Sequence, residues 1–236
     1  MAIDDLPGPV VTFLNVIGVE WPYVNEDEVM HFASLVRDFG TAVQTTHQDA
    51  SNAIQNIAQA YQGDSSATMS SKWSQLSGTH VQEITTVCGL LADALEVGAG
   101  YIVQAKVEAL VQLVELAVEY AAAVAESVAT LGIGSAAILL VQELGTSLMD
   151  SLIQDLEQYV IGQLVEVAIK PLFARIQLAT AGLDWSHTPG GSISQSGGFS
   201  LDQEVLLQHT AVLRGHAETF RSHGQTLREG VAGLQF

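Results

Sequence analysis

Cysteine is nearly missing: Cys88 stands alone in 236 residues. No intrachain disulfide can form, which excludes a small stapled secreted domain while leaving a large helical one open to export. Val87, Leu90 and Leu91 surround Cys88 in sequence, so a packed apolar thiol is expected rather than a reactive one. Proline is scarce too. It occurs at Pro7, Pro9, Pro22, Pro171 and Pro189 only, so nothing between Pro22 and Pro171 forbids very long helices. Aromatics make up 6%. Basic residues are the most telling shortage: eight Lys and Arg face 26 Asp and Glu, a formal net charge of −18. Nucleic-acid binding needs a basic footprint to displace counterions, and an anionic membrane surface would repel this chain. Only four of the acids lie in 201–236, beside three of the basic residues. That stretch is nearly neutral and can lie against the acidic remainder. The opening "MAIDDLPGPVVTFLNVIGVEWP" has Asp4 and Asp5 where a signal peptide carries positive charge. Any export is expected to proceed without a cleaved signal peptide.

What is abundant is 48% hydrophobic residues, with Ala, Val, Leu and Gln prominent, a mixture that favours packed helices. The first helix is expected to start near "VNEDEV", with Asn25 as N-cap and Glu26, Asp27 and Glu28 in the turn where the helix dipole favours negative charge. An apolar seam follows through Val29, Phe32, Val36, Phe39, Val43, Thr46, Ala50, Ile54, Ile57 and Tyr61, in steps of three and four. "QGD" at 62–64 stops the helix, and Gly63 is suited to the left-handed conformation that closes one. A second seam runs Met69, Trp73, Leu76, His80, Ile84, Val87, Leu91, Ala94, Gly98 and Ile102. Two such rods joined by a tight turn form an antiparallel hairpin over 25–100. This reading forbids both one continuous helix through Gly63 and β-structure there. "EVGAGYI" is a place for a kink or an end. Apolar helices fill 101–182, with a turn at "LGIGSAA" and a third helix from about Ser135 to Thr180. Residues 184–200 read as a Gly/Ser-rich linker. The segment 201–236 is an amphipathic helix whose Leu206, Leu213, Phe220 and Leu227 recur at a spacing of seven and suit docking. No strand pair is apparent. The expected class is all-α, an elongated bundle of long antiparallel helices with a helical hairpin and a C-terminal docking helix.

The stretch "AYQGDSSATMSSKW", residues 60–73, therefore sits at the hairpin tip. Tyr61-Gln62-Gly63, with Trp73 twelve residues after Tyr61, resembles the signature of the WXG family, the short helical hairpins exported by type VII secretion systems. Tyr61 stands where the family usually has Trp. The layout of the whole bundle, residues 1–183, is more closely similar to the N-terminal WXG-like domains of actinobacterial polymorphic toxins. The resemblance implies a protein made in the cytoplasm and found secreted or at the cell surface. Its partners would be the type VII secretion machinery or a small helical protein, with a homo-oligomer left open. Tyr61, Gly63 and Trp73 would form the recognition surface. The family's Tyr-x-x-x-Asp/Glu export motif has one weak counterpart, Tyr23 to Asp27, where N-capping accounts for Asp27 equally well.

Other chemistry finds little support. "GIGSAA" at 132–137 fits a dinucleotide fingerprint in letters but follows a helical run with no βαβ unit. No G-x-S-x-G elbow occurs, and the acids Glu108, Glu115, Glu119 and Glu126 lie along one helix as a solvated stripe. His209, His216 and His223 recur every seven residues, about 10.5 Å apart at helical rise and too far to share a metal. They read as the solvated flank of the docking helix, or as a pH-sensitive one. No catalytic residue, cofactor or metal is expected. The uncharged run from Ser127 to Gln142 is short of the roughly 20 residues a spanning helix needs and is broken by Gly132 and Gly134. A membrane-active, pore-forming protein using 102–148 is the alternative function. The leading expectation is a non-enzymatic type VII substrate or the delivery domain of a polymorphic toxin, acting through helix–helix recognition.

Overall fold

The computed structural model of the protein describes residues 6–22, 24–62, 64–77, 81–129, 135–159 and 200–235, with 162, 170 and 174. The fold is all-α, as expected. Its elements are α1 (Gly8–Ile17), α2 (Glu26–Ala60), β1 (Tyr61–Gln62), α3 (Asp64–Leu76), α4 (Gln82–Ala129), α5 (Ser135–Tyr159), β2 (Ser200–Leu201) and α6 (Gln203–Ala232). The chain divides into two compact units, one of residues 1–31, 94–167 and 235–236, the other of 32–93 and 168–234.

α2 starts where its cap predicts. The Asn25 carboxamide oxygen accepts hydrogen bonds from the Asp27 and Glu28 N–H groups at 3.0 and 3.3 Å. No residue of its predicted seam is exposed, and Ala33, Gly40 and Ala53 join it as buried positions. In the second unit α2 runs antiparallel to α3 and the start of α4. Contacts step from Ser51–Trp73 and His47–Ser77 to Gly40–Cys88 and Arg37–Asp93. The Gly40–Cys88 approach is close enough that a Cβ on Gly40 would lie 2.9 Å from that of Cys88. Cys88 is buried, which pushes its thiol pKa up and leaves it inert, the packed thiol expected from its neighbours.

α4 is one helix through "EVGAGYI", with neither an end nor a break at Gly98 or Gly100. Its buried face matches the predicted seam only in part: Val87, Gly98 and Ile102 are buried. Ile84 is exposed and Leu91 and Ala94 are only half-buried. The interior stripe is Cys88, Ala92, Leu95, Ala99, Ile102, Lys106, Ala109 and Leu113, again in steps of three and four. Beyond Ile102, where the predicted seam ends, the stripe continues through a fully buried lysine, Lys106. In the first unit its ammonium donates to Glu26 Oε2 and to the Val24 carbonyl, both at 2.8 Å.

α1 was not foreseen. Pro9 occupies its first turn, where a missing N–H costs nothing, and Gly18 closes it in the left-handed conformation (φ 72°), donating to the Leu14 carbonyl at 2.9 Å. Val10, Phe13 and Leu14 form its buried face. Phe13 meets Tyr120 of α4 with ring centroids 5.5 Å apart and lies directly over Gly145 of α5. Tyr101 of α4 stacks on Tyr159 of α5 at 3.9 Å, so α4 and α5 run antiparallel in this unit. α5 begins at Ser135 as expected; Gly132, Gly134, Pro171 and the 184–199 part of the linker lie outside the described residues.

Candidate functional site

Helix α2 ends at Ala60 and α3 begins at Asp64, so the chain does break at the predicted tip. Gly63 itself lies outside the described residues, as does Tyr23. The expectation of no β-structure at this point is corrected. Tyr61 and Gln62 pair antiparallel with Leu201 and Ser200, and the Asp202 N–H donates to the Ala60 carbonyl at 3.3 Å. The reason is local. A helix end leaves its last carbonyls without intrahelical partners, and the stretch entering α6 supplies backbone groups to meet them. The bridge joins the tip to residues 200–201, not to the other arm, so the reversal between α2 and α3 is unaffected.

Below the tip, Trp73 is fixed on α2. Its indole N–H donates to Ser51 Oγ at 3.0 Å, and its ring stacks on His47 at 5.3 Å with 20° between planes. His47 Nε2 lies 2.7 Å from Ser77 Oγ and 3.4 Å from Ser51 Oγ. His47 and Ser51 are four apart and share a face of α2, a signal present in the sequence but uninformative until Trp73 is known to face it. Serine beside histidine invites a hydrolytic reading. A working dyad, however, needs a third group orienting the base, and His47 Nδ1 is buried with no hydrogen-bond partner among the described residues. Burial lowers the His47 pKa, favouring a neutral ring that stacks rather than a charged one. No group of three or more His, Cys, Asp or Glu able to hold a metal occurs among the described residues.

Asp27 is exposed in the first turn of α2, with its N–H bound to Asn25. α6 starts at its cap, Asp202, whose carboxylate accepts from the Val205 N–H at 3.1 Å. Leu206, Leu213, Phe220 and Leu227 are all half-buried. α6 runs antiparallel to α2 in the second unit, with Gly230 against Leu35 and His223 against Thr46. The reading of the three histidines as a solvated flank is corrected: His209, His216 and His223 are half-buried on the seam side, and His223 Nε2 lies 2.9 Å from Thr46 Oγ1. The physical reason is register, since each follows a seam leucine or phenylalanine by three residues. Glu108, Glu115, Glu119 and Glu126 are exposed, as their pattern predicts. Two helices, Gln82–Val128 and Ala136–Tyr159, are long and apolar enough to cross a membrane, with 33% and 22% of their most apolar windows buried. That is more than the short run at Ser127–Gln142 indicated.

The class of protein that the fold defines is a helical one built on a long antiparallel hairpin, broken at an aromatic-x-Gly tip and carrying a tryptophan on its second arm. The WXG100 like domain matches residues 4–147, and the chain belongs to that family, whose members are helical substrates of type VII secretion. No curated protein and no solved structure matches the chain significantly.

Proposed function

We propose that this protein is a non-enzymatic substrate of a type VII secretion system, or the delivery domain of a polymorphic toxin, and that it works by helix–helix recognition at the hairpin tip. It leaves the cytoplasm without a cleaved signal peptide. Tyr61, Gly63 and Trp73 form the surface that the machinery or a small helical partner grips. The observation that carries this reading is Trp73, within a family-matched hairpin. A large aromatic remains half-buried, held from below by Ser51 and His47, so its position is fixed before any partner arrives. Preorganised aromatics make effective recognition anchors because little rotamer freedom is lost on binding. Leu206, Leu213, Phe220 and Leu227 dock α6 in cis and hold the entering strand against the tip.

The test is export. A Gly63→Val, Trp73→Ala double variant that retains the wild-type helical circular dichroism is expected to stay in the cells of a host with a type VII system, while the wild-type chain reaches the medium. Undiminished export of the folded variant would refute the recognition surface. The length and apolarity of Gln82–Val128 and Ala136–Tyr159 favour a second reading, a membrane-active protein using 102–148. Dye release from liposomes that disappears when charges are placed at the exposed Ala136 and Leu140 would favour it.

A further inference from the structure

The outward face of α4 carries an apolar stripe that recognition at the hairpin tip does not account for. Val107, Val111, Val114 and Val118 are 45%, 56%, 39% and 62% exposed, in steps of four, three and four. Ala121, Ala125 and Val128 continue the same register, and all three are exposed. At helical rise this is a seam of about 32 Å. Its spacing is that of a helix meeting another helix, not that of a scattered surface.

The two flanks of the stripe differ. On one side lie Lys106, Ala109, Leu113 and Ala117, turned into the protein's own core. On the other, Glu108, Glu115 and Glu119 are exposed in a row. This asymmetry selects the occupant. A helix that lies on a bilayer is flanked by Lys and Arg, which meet anionic headgroups; carboxylates there are repelled. A second copy laid antiparallel would set the same carboxylates against one another, and laid parallel would offer them no counter-charge. Nor does α6 of a second copy fit. Its Arg214, Arg221 and Arg228 are exposed at the right period, but Arg221 is paired with Glu218 at 2.6 Å, and Gly215, Thr219, Ser222 and Gln225 leave its outer face without an apolar seam.

We propose that the Val107–Val128 stripe of α4 is a second docking surface, which takes an amphipathic helix of a different protein with a heptad apolar seam and Lys or Arg on the flank facing Glu108, Glu115 and Glu119. The inference deepens the helix-recognition reading and rests on it for its biological setting, but it concerns a face distinct from Trp73.

The test uses the full chain and two synthetic helices of about four heptads. Both carry leucine at alternating steps of three and four; one has lysine on its flanks, the other glutamate. Binding is read by fluorescence anisotropy. The lysine-flanked helix is expected to bind and the glutamate-flanked one not. Val111→Glu with Val118→Glu is expected to weaken binding about tenfold or more, since desolvated valine contact is lost. The same substitutions make the chain more negative, so adsorption of a cationic peptide by charge alone would strengthen instead. Glu108→Gln, Glu115→Gln and Glu119→Gln together are expected to weaken binding and reduce its salt dependence. The valine and glutamate positions are exposed, and unchanged helical circular dichroism checks folding. Equal binding of the two helices, or binding indifferent to the double valine variant, overturns the proposal. So does a concentration-dependent dimer that this variant abolishes, which assigns the stripe to a second copy. Flotation with phosphatidylcholine vesicles, lost in the same variant, overturns it in favour of a bilayer. Trp73→Ala is expected to leave helix binding unchanged. Export undiminished in the tip variant while helix binding persists counts against the tip reading and not against this one.

Discussion

Lys106 and Glu26 meet inside the protein, 2.8 Å apart, with side chains 0% and 3% exposed. The lysine also donates to the Val24 carbonyl, which precedes α2. The pair therefore fixes where α2 begins against α4. Two opposite charges taken out of water gain little net stability, yet removing one strands the other. Lys106→Met is expected to cost about 3–5 kcal/mol, and Glu26→Gln somewhat less because a neutral amide still accepts a hydrogen bond. The double Lys106→Met, Glu26→Leu should recover most of the loss, short of about 1–3 kcal/mol for the Val24 carbonyl left without its donor. Urea unfolding followed by circular dichroism reads all three. A double variant as unstable as the sum of the singles would mean the two charges act independently.

The same pair shows where reading the chain by pattern works and where it stops. Asn25 was legible as a cap because capping is local, set by residues within one turn. The α2 seam was legible because nearly every member is apolar. In α4, Val87, Gly98 and Ile102 were legible as inward positions, whereas the run beyond Ile102 was not, because it carries Lys106, and a lysine is counted outside unless its partner is known. α1 was missed because Pro7, Gly8 and Pro9 read as breakers, although proline in a first turn favours a helix. At the tip the break between Ala60 and Asp64 was legible, whereas the pairing of Tyr61 with Leu201 spans a sequence separation that no local pattern encodes.

His47 predicts a pH dependence of definite sign. Burial holds its pKa below the ordinary 6.5 in the folded protein. An unfolded chain therefore binds more protons below that pH, and stability must fall as pH drops through about 6.5, until the folded form also protonates. In the charged ring both nitrogens carry a proton, and Nδ1 has no acceptor among the described residues. Unfolding curves at pH 8 and pH 5, followed by tryptophan fluorescence, should show the loss. His47→Gln should remove this contribution to the slope, at the cost of the stack on Trp73. A variant with the wild-type slope would assign the effect to other groups.

Glycines make a contrasting pair of predictions. Gly40→Ala places a methyl 2.9 Å from Cys88 Cβ, so α2 and α4 must separate. Overpacking of that kind costs about 1–3 kcal/mol, which outweighs the gain of up to about 1 kcal/mol from alanine's helix propensity. Adding Cys88→Gly should restore part of the loss by clearing the contact. Gly215, in the middle of α6, has nothing within 4 Å of its would-be Cβ. Gly215→Ala is expected to stabilise by about 0.5–1 kcal/mol. Thermal melts of the two single variants should move in opposite directions; a shared direction would mean that propensity, not the close approach, governs Gly40.

Asp202 joins two structures with one residue. Its carboxylate caps α6 through the Val205 N–H, and its own N–H donates to the Ala60 carbonyl beside Tyr61. Asp202→Ala removes the cap but leaves the backbone donor in place. The expected loss is about 1 kcal/mol, concentrated in the first turn of α6. Hydrogen exchange should therefore quicken at Val205 and Leu206 more than at residues in the middle of α6. Asp202→Pro removes the donor to Ala60 as well, since proline has no N–H. Exchange of the Tyr61 and Gln62 amides should then rise in the proline variant and change little in the alanine one. If both variants loosen the tip equally, the cap rather than the backbone bridge holds residues 200–202 against it.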